Sequence, residues 1–256
     1  MFEDHLLDLE ETFLKACREN DRTKVKACLD QGVNVNEKDF YMESGLILAV
    51  SRNNIELCEM LLGHPGIDVN QNDLNGDTPL LVSCNLGYDE ITQMLVSHPG
   101  IDLNFQNNDE YTAAFMAVEC GHIGCVRILS MQNNVNWNLV PRCDVPITVA
   151  AMWQDNQEIF RMLLNISSIN WNLIGADGGT ALTYALMERK TDFAKLILSI
   201  PNLEIDIDHL KRQGVYEAAV DLCKQIFNEK LGGASYQLVK LLNSNNRPEC
   251  PVKQEK

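Results

Sequence analysis

Two histidines stand in near-identical octapeptides of this 256-residue chain, and their spacing raises a question of chemistry. "GHPGIDVN" runs from Gly63 to Asn70, and "SHPGIDLN" runs from Ser97 to Asn104, one 34-residue step further along. The His and Asp of each copy are residue types that ligate metals or act as an acid–base pair. Pro and Gly also end helices, so the same residues are typical of the boundaries between the units of a repeat protein.

The 34-residue spacing extends beyond these two peptides. Shifting the chain by 34 places Ser44 on Thr78 and then on Thr112, and neighbouring apolar positions match as well. Five full units are predicted between about Asp39 and Asp206, with a shorter unit before them and a diverged one after them. A period of this length indicates stacked supersecondary units, none of which buries its apolar faces alone.

The clearest unit, Asp73–Asn104, predicts two short helices. Thr78 suits the N-cap of the first helix, and Pro79 suits its first turn, where a missing N–H costs nothing. Gly87 suits the left-handed residue that ends this helix. Apolar residues then recur at helical spacing as far as Leu95, which predicts the second helix.

Three strings carry a family resemblance: D-x-x-G-x-T-P-L at Asp73–Leu80, G-H-I at Gly121–Ile123 and M-L-L…G-I-D-V-N at Met60–Asn70. They resemble the ankyrin repeat, and the resemblance covers nearly the whole chain. It implies an all-α ankyrin-repeat solenoid of stacked helix-turn-helix units joined by β-hairpin loops. The ankyrin-repeat domain is expected to span residues 1–244, with an N-terminal cap at about 9–38, repeats at about 39–206 and C-terminal capping helices at about 207–244.

The fourth unit departs from the family pattern. When Val145-Pro146-Ile147 is aligned with the family's T-P-L, this unit carries one extra residue in the turn near Gln154–Gln157. No unit is expected to keep the family's His after T-P-L, since Leu81 occupies that place in the clearest copy. Gly66 and Gly100 match the family's helix-ending glycine, which predicts a left-handed backbone there, with Asn134 and Asn202 in the same place of other units.

The resemblance changes the interpretation of the two histidines. His64 and His98 would lie on adjacent stacked units, roughly 10 Å apart, whereas His–N bonds to zinc are about 2.0–2.1 Å. They cannot share one metal, and later units carry other residues there, so both are interpreted as structural. No phosphate-binding loop or catalytic motif occurs. We therefore expect no enzymatic activity, no metal and no cofactor.

Several residues with reactive or aromatic side chains are interpreted as core. Trp137 and Trp171 stand in two copies of N-W-N-L, on the inward side of the loops. Four of the nine cysteines lie on predicted apolar helix faces, where a thiol behaves as a small hydrophobe: Cys17, Cys28, Cys58 and Cys84. Without disulfide-framework spacing, these thiols favour a reducing intracellular compartment.

Net charge and hydropathy limit the classes of partner that the chain could bind. The net charge of −15 repels phosphate backbones and anionic membranes and favours a protein partner with a basic segment; solubility alone is the alternative explanation. The sequence contains no apolar run long enough to cross a membrane. We expect a monomer located in the cytoplasm, with the nucleus as an alternative, and no nucleic-acid or membrane partner.

The resemblance implies protein binding at the hairpin tips and in a concave groove beside the first helix of each unit. The corresponding tip residues are Phe40, Tyr41, Leu74, Asn75, Asp77, Asp109, Tyr111 and Arg142. The corresponding groove residues are Arg52, Leu86, Glu119, Met152 and Trp153. For Tyr41 and Tyr111, packing against neighbouring hairpins is the alternative. The predicted function is that of a scaffold or adaptor, and a purely structural role is a further alternative.

The C-terminal residues 245–256 are polar and contain proline, which predicts a disordered tail. Within them, "RPECPV" resembles the opening of a RING-type zinc domain. The second Cys of the expected pair is replaced by Lys253, so this chain cannot complete that zinc site. The resemblance is either chance or the mark of a longer form of the protein. In the second case it suggests a rival function, in which the repeats select substrates for a ubiquitin ligase or another effector assembly.

Overall fold

The computed structural model describes the backbone of residues 2–200 and 203–229, and the side chains of 8–200 and 203–225. Within these ranges the chain forms helices and turns, and no strand. The helices are α1 (Phe2–Glu19), α2 (Arg22–Asp30), α3 (Gly45–Ser51), α4 (Ile55–Leu62), α5 (Pro79–Leu86), α6 (Asp89–Val96), α7 (Ala113–Glu119), α8 (Ile123–Ser130), α9 (Ile147–Trp153), α10 (Gln157–Leu164), α11 (Ala181–Met187), α12 (Thr191–Leu198), α13 (Ile207–Arg212) and α14 (Tyr216–Glu229). The predicted all-α repeat architecture is confirmed.

Residues 1–168 form the first of two compact units, and its helices pack in two rows. In the first row, α1, α3, α5, α7 and α9 each pack on the next. In the second row, α4, α6, α8 and α10 do the same, and each helix also packs on its first-row partner. The apolar faces of both rows meet in a continuous core, so each repeat is stabilised by its neighbours.

The N-caps of the first-row helices recur at the 34-residue period. Ser44, Thr78 and Thr112 each accept a hydrogen bond from the backbone N–H three residues on, at 3.2–3.4 Å. All three side chains are buried, so the hydroxyl satisfies an N–H that water cannot reach. The predicted N-cap at Thr78 is confirmed.

Left-handed residues also recur at this period, but not all where the sequence predicts them. One series follows the first helix of each pair and includes Gly87, with φ of 73°, as predicted. Its other members at 34-residue steps are Asn53, Gly121, Asp155 and Arg189; Asn20 after α1 and Gly214 after α13 are left-handed too but lie off this step. A second series lies at the loop tips, at Met42, Gly76, Glu110, Asp144 and Gly178. Gly66, Gly100 and Asn134 are not left-handed, so that prediction is wrong for them, and Asn202 lies outside the described residues. The second-row helix α4 instead ends at Gly63 in right-handed geometry.

The predicted insertion in the fourth unit is also wrong. Pro146, not Val145, occupies the N-cap of α9, one repeat period after the N-cap Thr112. The turn between α9 and α10 is then as long as the turn between α7 and α8. Proline is favoured at the first helical position, which is where the family's T-P-L pattern places it, so V-P-I favours an alignment that is one position out of register. In the structure Pro146 instead takes the N-cap, with extended backbone and no side-chain cap hydrogen bond.

Asparagines at the same period join the repeats. Asn70 lies in the loop after α4; its Nδ2 donates to the Gly100 carbonyl at 2.8 Å, and its Oδ1 accepts from the Asp102 N–H at 2.9 Å. Asn36 and Asn104 bond the following repeat in the same way. These three residues form what we call the asparagine ladder. Each rung links equivalent loops and so sets the step between repeats.

The loops before the first-row helices are hairpin-like turns. In the first of them, the Asp39 N–H donates to the Glu43 carbonyl, and the Met42 N–H donates to the Asp39 carbonyl, both at 3.0 Å. Met42 is left-handed, as expected for a turn closed by a bulge. Only one isolated bridge, between Lys38 and Ser44, occurs in the described residues, so the predicted β-hairpins are tight turns without strands.

The core contains the residues predicted for it. Trp137 and Trp171 are buried, each in the loop of its own unit. The cysteines predicted on apolar faces, Cys17, Cys28, Cys58 and Cys84, are buried as well. Burial raises the pKa of Cys17 and of Cys58 to about 12, which keeps these thiols protonated. None of the described helices has the length and apolarity needed to cross a membrane.

The second compact unit begins at Ile169. In it α11 packs on α12, α12 on α14 and α13 on α14. Asp206 caps α13 less than one full repeat period after the cap Thr180, so this last repeat is shorter than the others. His209 stands three residues after its cap, the place of Leu81, so the expectation that no unit keeps a His there is wrong. The predicted capping region beyond 229 and the tail at 245–256 lie outside the described residues.

The asparagine ladder predicts the effect of Asn70→Ala. Loss of both cross-repeat hydrogen bonds should lower the free energy of unfolding by about 1–3 kcal/mol, measured by urea denaturation. Asn133→Ala is the control, because Asn133 is exposed and has no hydrogen bond among the described residues. Equal, negligible changes in the two variants would show that the ladder does not stabilise the stack.

Candidate functional site

Four large apolar side chains are exposed on the first two loop tips. Phe40 is 88% exposed, Tyr41 61% and Leu74 57%, and Met42 beside them is exposed as well. The rings of Phe40 and Tyr41 meet edge to face, with centroids 5.5 Å apart. We call these four residues the tip patch. Contact between water and exposed apolar side chains is unfavourable. Burial of these four side chains against another surface would therefore be favourable.

The backbone holds the tip patch in position. Oδ1 of Asp39 accepts from the N–H groups of Tyr41 and Glu43, at 2.8 and 2.9 Å, and so closes the first turn. The second turn is linked to the first, because the Leu74 N–H donates to the Tyr41 carbonyl at 3.2 Å. The apolar side chains therefore project from ordered turns, and a ligand bound there would cost little backbone entropy.

Carboxylates surround the tip patch. Burial raises the pKa of Glu43, and the nearby charges of Asp39 and Asp73 raise it further. Arg18 and Arg52 offset part of this rise in the Glu43 pKa. Burial likewise raises the pKa of Asp77, to which Asp73 and Asp109 contribute by like-charge repulsion. A cation placed here would relieve that repulsion, so the site suits a positively charged ligand group.

The local cations are already engaged. Arg18 forms an ion pair with Asp39 at 2.5 Å, and Lys38 Nζ donates to the Asn72 carbonyl at 2.7 Å. Arg142 on the fourth tip pairs with Glu110 at 3.2 Å. These contacts leave the carboxylates around the tip patch incompletely neutralised.

The third and fourth tips are more polar. Asp109 and Arg142 are exposed, and the Arg142 N–H donates to the Asp109 carbonyl at 3.1 Å. Tyr111 is half-buried: its ring centroid lies 5.3 Å from that of Phe115. The neighbouring Cys143 thiol and burial together raise the pKa of Tyr111 to about 12. Of the two tyrosines with a packing alternative, Tyr111 packs on Phe115 of its own repeat, and Tyr41 is 61% exposed.

On the second tip, the remaining two predicted residues differ in exposure. Asn75 is exposed, and its carbonyl accepts from the Asn108 N–H at 3.0 Å. Asp77 is half-buried and accepts from Asn107 Nδ2 at 2.7 Å, so its carboxylate also serves to join two tips.

The ends of the first-row helices present a second group of predicted residues. Leu86 and Trp153 are exposed, Trp153 by 46% of its surface. Arg52 is exposed, and its guanidinium donates weakly to the Leu48 carbonyl at 3.4 Å. Glu119 is half-buried, and burial raises its pKa. These positions form a mixed surface, in which apolar side chains stand beside charged ones.

Met152 is a correction to the predicted site. It has no exposed surface, so it cannot contact a partner. With Pro146 at the N-cap, Met152 stands one repeat period after Val118 and two periods after Cys84, and both of these are core residues. Trp153 then corresponds to Glu119, which lies at the accessible end of its helix.

The histidines of the opening motif have a structural role. Nδ1 of His64 accepts from the Gly66 N–H at 3.2 Å, and Nδ1 of His98 accepts from the Gly100 N–H at the same distance. Each ring thus closes the turn that follows a second-row helix. Within the part of the chain that the structure describes, no three His, Cys, Asp or Glu side chains lie together as metal ligands.

Further exposed residues lie beside the predicted site and in the loops. Cys143 is exposed at the fourth tip beside Tyr111, and Cys120 donates to Asn85 Oδ1 at 3.3 Å. Met131 and Ile174 are exposed apolar residues in loops. Nothing in the sequence indicates the exposure of Met131 and Ile174, because both fall outside the strings that the repeat pattern identifies.

The fold and the repeated tips define a helical-repeat protein, and comparisons with known proteins identify its family. A family model described as ankyrin repeats (3 copies) matches residues 46–141. The chain is similar to an ankyrin repeat domain from Acinetobacter baumannii, with 31% identity and a TM-score of 0.66, over 72% of this chain and 94% of that one. It is also similar to the ankyrin repeat protein EF0377, with 27% identity and a TM-score of 0.68, over 73% and 96%. The chain belongs to the ankyrin-repeat family.

The comparisons give no support beyond the ankyrin repeats. No curated protein matches the sequence significantly. The family match does not include the C-terminal string that resembles a RING domain, and Cys250 lies outside the described residues, so that resemblance is not supported.

The raised pKa of Glu43 predicts the effect of Glu43→Gln. Because the folded chain favours the neutral form, the ionised carboxylate destabilises it at neutral pH, and Glu43→Gln should raise the thermal midpoint there. The gain should shrink as pH falls through the raised pKa and vanish below the unfolded value of 4.5, where the wild-type carboxyl is protonated in both states. Glu59→Gln, at an exposed position of α4, is the control. A gain independent of pH would contradict the electrostatic cause.

Proposed function

We propose that this protein is a scaffold or adaptor that binds a partner protein through its loop tips and the ends of its first-row helices. Ankyrin repeats are generally protein–protein interaction modules. The observation that supports the proposal most directly is the tip patch: four large apolar side chains exposed on two ordered, hydrogen-bonded turns. Apolar anchors within a polar rim are the usual composition of a binding hot spot.

Charge supports a basic partner. The chain carries a net charge of −15, and the carboxylates nearest the tip patch include two with raised pKa values. A positively charged segment would approach faster in this field and would favour the ionised form of those carboxylates. Association should accordingly weaken as the salt concentration rises.

The rival function, selection of substrates for a ubiquitin ligase or another effector assembly, has less support. It depends on the string at Arg247–Val252, which lies outside the described residues. No contact or surface among the described residues favours an effector role over simple binding.

A crosslinking pull-down from lysate of the source cells tests the proposed function. The wild-type chain should recover a partner that Phe40→Ala recovers poorly, because that variant removes the most exposed anchor. Asn133→Ala, exposed and far in sequence from the tip patch, should recover as much as the wild type. A wild-type chain that recovers nothing above background would instead favour a purely structural role.

Trp153 and its neighbour Met152 give a paired prediction. Trp153→Ala should weaken partner binding by more than about 1 kcal/mol and leave the thermal midpoint nearly unchanged, since Trp153 is half exposed. Met152→Ala should do the reverse and lower the free energy of unfolding by about 2–5 kcal/mol, because the side chain is fully buried. Binding is measured by calorimetry and stability by thermal denaturation. A large loss of stability in Trp153→Ala would remove Trp153 from the site.

A further inference from the structure

The loop tips of the first compact unit are joined by a series of backbone hydrogen bonds. Leu74, Asn108 and Arg142 stand at equivalent places, and each N–H donates to a carbonyl of the preceding tip at 3.0–3.2 Å. The acceptors are the carbonyls of Tyr41, Asn75 and Asp109 respectively. We call this series the tip ladder. It differs from the asparagine ladder because only main-chain groups take part.

The residue that would begin the tip ladder, Phe40, has a backbone N–H that is unpaired within the described part of the chain. Phe40 stands one repeat period before Leu74, and its N–H has no acceptor among the described residues. The helices α1 and α2 precede this tip, and neither supplies a tip that could accept from it. A main-chain donor at the edge of an ordered series of hydrogen bonds is a template for one more segment of chain.

The surroundings of this donor indicate what could occupy the edge. Phe40 carries the most exposed large apolar side chain of the described residues, and Tyr41 follows it. An apolar side chain of the incoming segment would therefore find two aromatic rings in contact with each other. The net charge of −15 and the carboxylates of Glu43 and Asp73 favour cationic residues in the same segment.

We propose that an extended, basic segment of the partner extends the tip ladder at Phe40. A carbonyl of that segment accepts from the Phe40 N–H, a large apolar side chain packs on Phe40 and Tyr41, and Lys or Arg side chains face the carboxylates. This proposal rests on the proposed function and specifies the chemistry of the partner and its place on the tips.

A matched pair of variants separates the two contributions of Phe40. Phe40→Ala removes the ring and keeps the N–H, whereas Phe40→Pro removes both. Phe40 follows Asp39, whose carbonyl accepts from the Met42 N–H, so it occupies the second position of a four-residue turn, which proline favours. Proline at this place should therefore leave the turn intact.

The test uses short random peptides displayed on phage and selected against the full chain. The selected sequences, remade as fluorescent peptides, should be rich in Lys and Arg with one large apolar residue. Phe40→Ala should weaken them by about fivefold or more, and Phe40→Pro should weaken them by roughly a further two- to tenfold. Hydrogen exchange at the Phe40 amide of the wild-type chain should slow when such a peptide binds, and this readout needs no substitution.

Three results would overturn the proposal. Equal affinities for Phe40→Ala and Phe40→Pro, with unchanged exchange at the Phe40 amide, would show that the N–H is not used. Peptides that depend on Trp153 and not on Phe40 would place binding on the helix ends, which leaves the proposed function intact. Failure to select any peptide would exclude an extended segment as the ligand, while the crosslinking pull-down would still test protein binding by itself.

Discussion

The structure depends on the hydrogen bonds by which one asparagine side chain spans two successive repeats. Each rung uses both the donor and the acceptor of the amide, as Asn70 does toward Gly100 and Asp102. A shorter or singly functional side chain could not satisfy both main-chain groups. Because the same geometry recurs at Asn36 and Asn104, the distance from one repeat to the next is set by the same contact each time.

Contacts between repeats also explain how loops without strands can be ordered. Short loops on their own would be mobile, but the described tips are anchored by capped helices on one side and by the tip ladder across repeats. The apolar side chains of the tip patch are therefore exposed and ordered at once. A surface that is ordered in advance would limit the entropy lost on association with the proposed partner.

The sequence predicted the parts of the fold that depend on residue type and on the spacing of similar residues. Hydroxyl side chains at Ser44, Thr78 and Thr112 indicated the caps, and the 34-residue period indicated the stack. It did not predict the alignment around Pro146, since proline is favoured at the first helical position and here occupies the N-cap instead. That shift by a single position is the reason that Met152 entered the predicted site.

Features that depend on the backbone were harder to predict. Left-handed geometry occurs at Asn53, Asp155 and Arg189 as well as at glycines, because the turn between paired helices imposes it whatever the residue. The exposure of Leu74 was predicted from the family's pattern and could not be derived from hydrophobicity, which favours burial. No residue type in the sequence indicates that the Phe40 N–H lacks an acceptor within the described part of the chain. That follows from the absence of a preceding tip among the described residues.

Hydrogen exchange of the loop amides tests most directly whether the asparagine ladder holds the repeats in register. The N–H groups of Asp68, Asp102 and Asn136 lie on exposed residues, but each donates to an asparagine of the preceding repeat at 2.6–2.9 Å. We expect these three amides to exchange only through the cooperative opening that also exposes the core helices. Exchange at the rate of an unstructured chain, while the helices stay protected, would contradict this expectation.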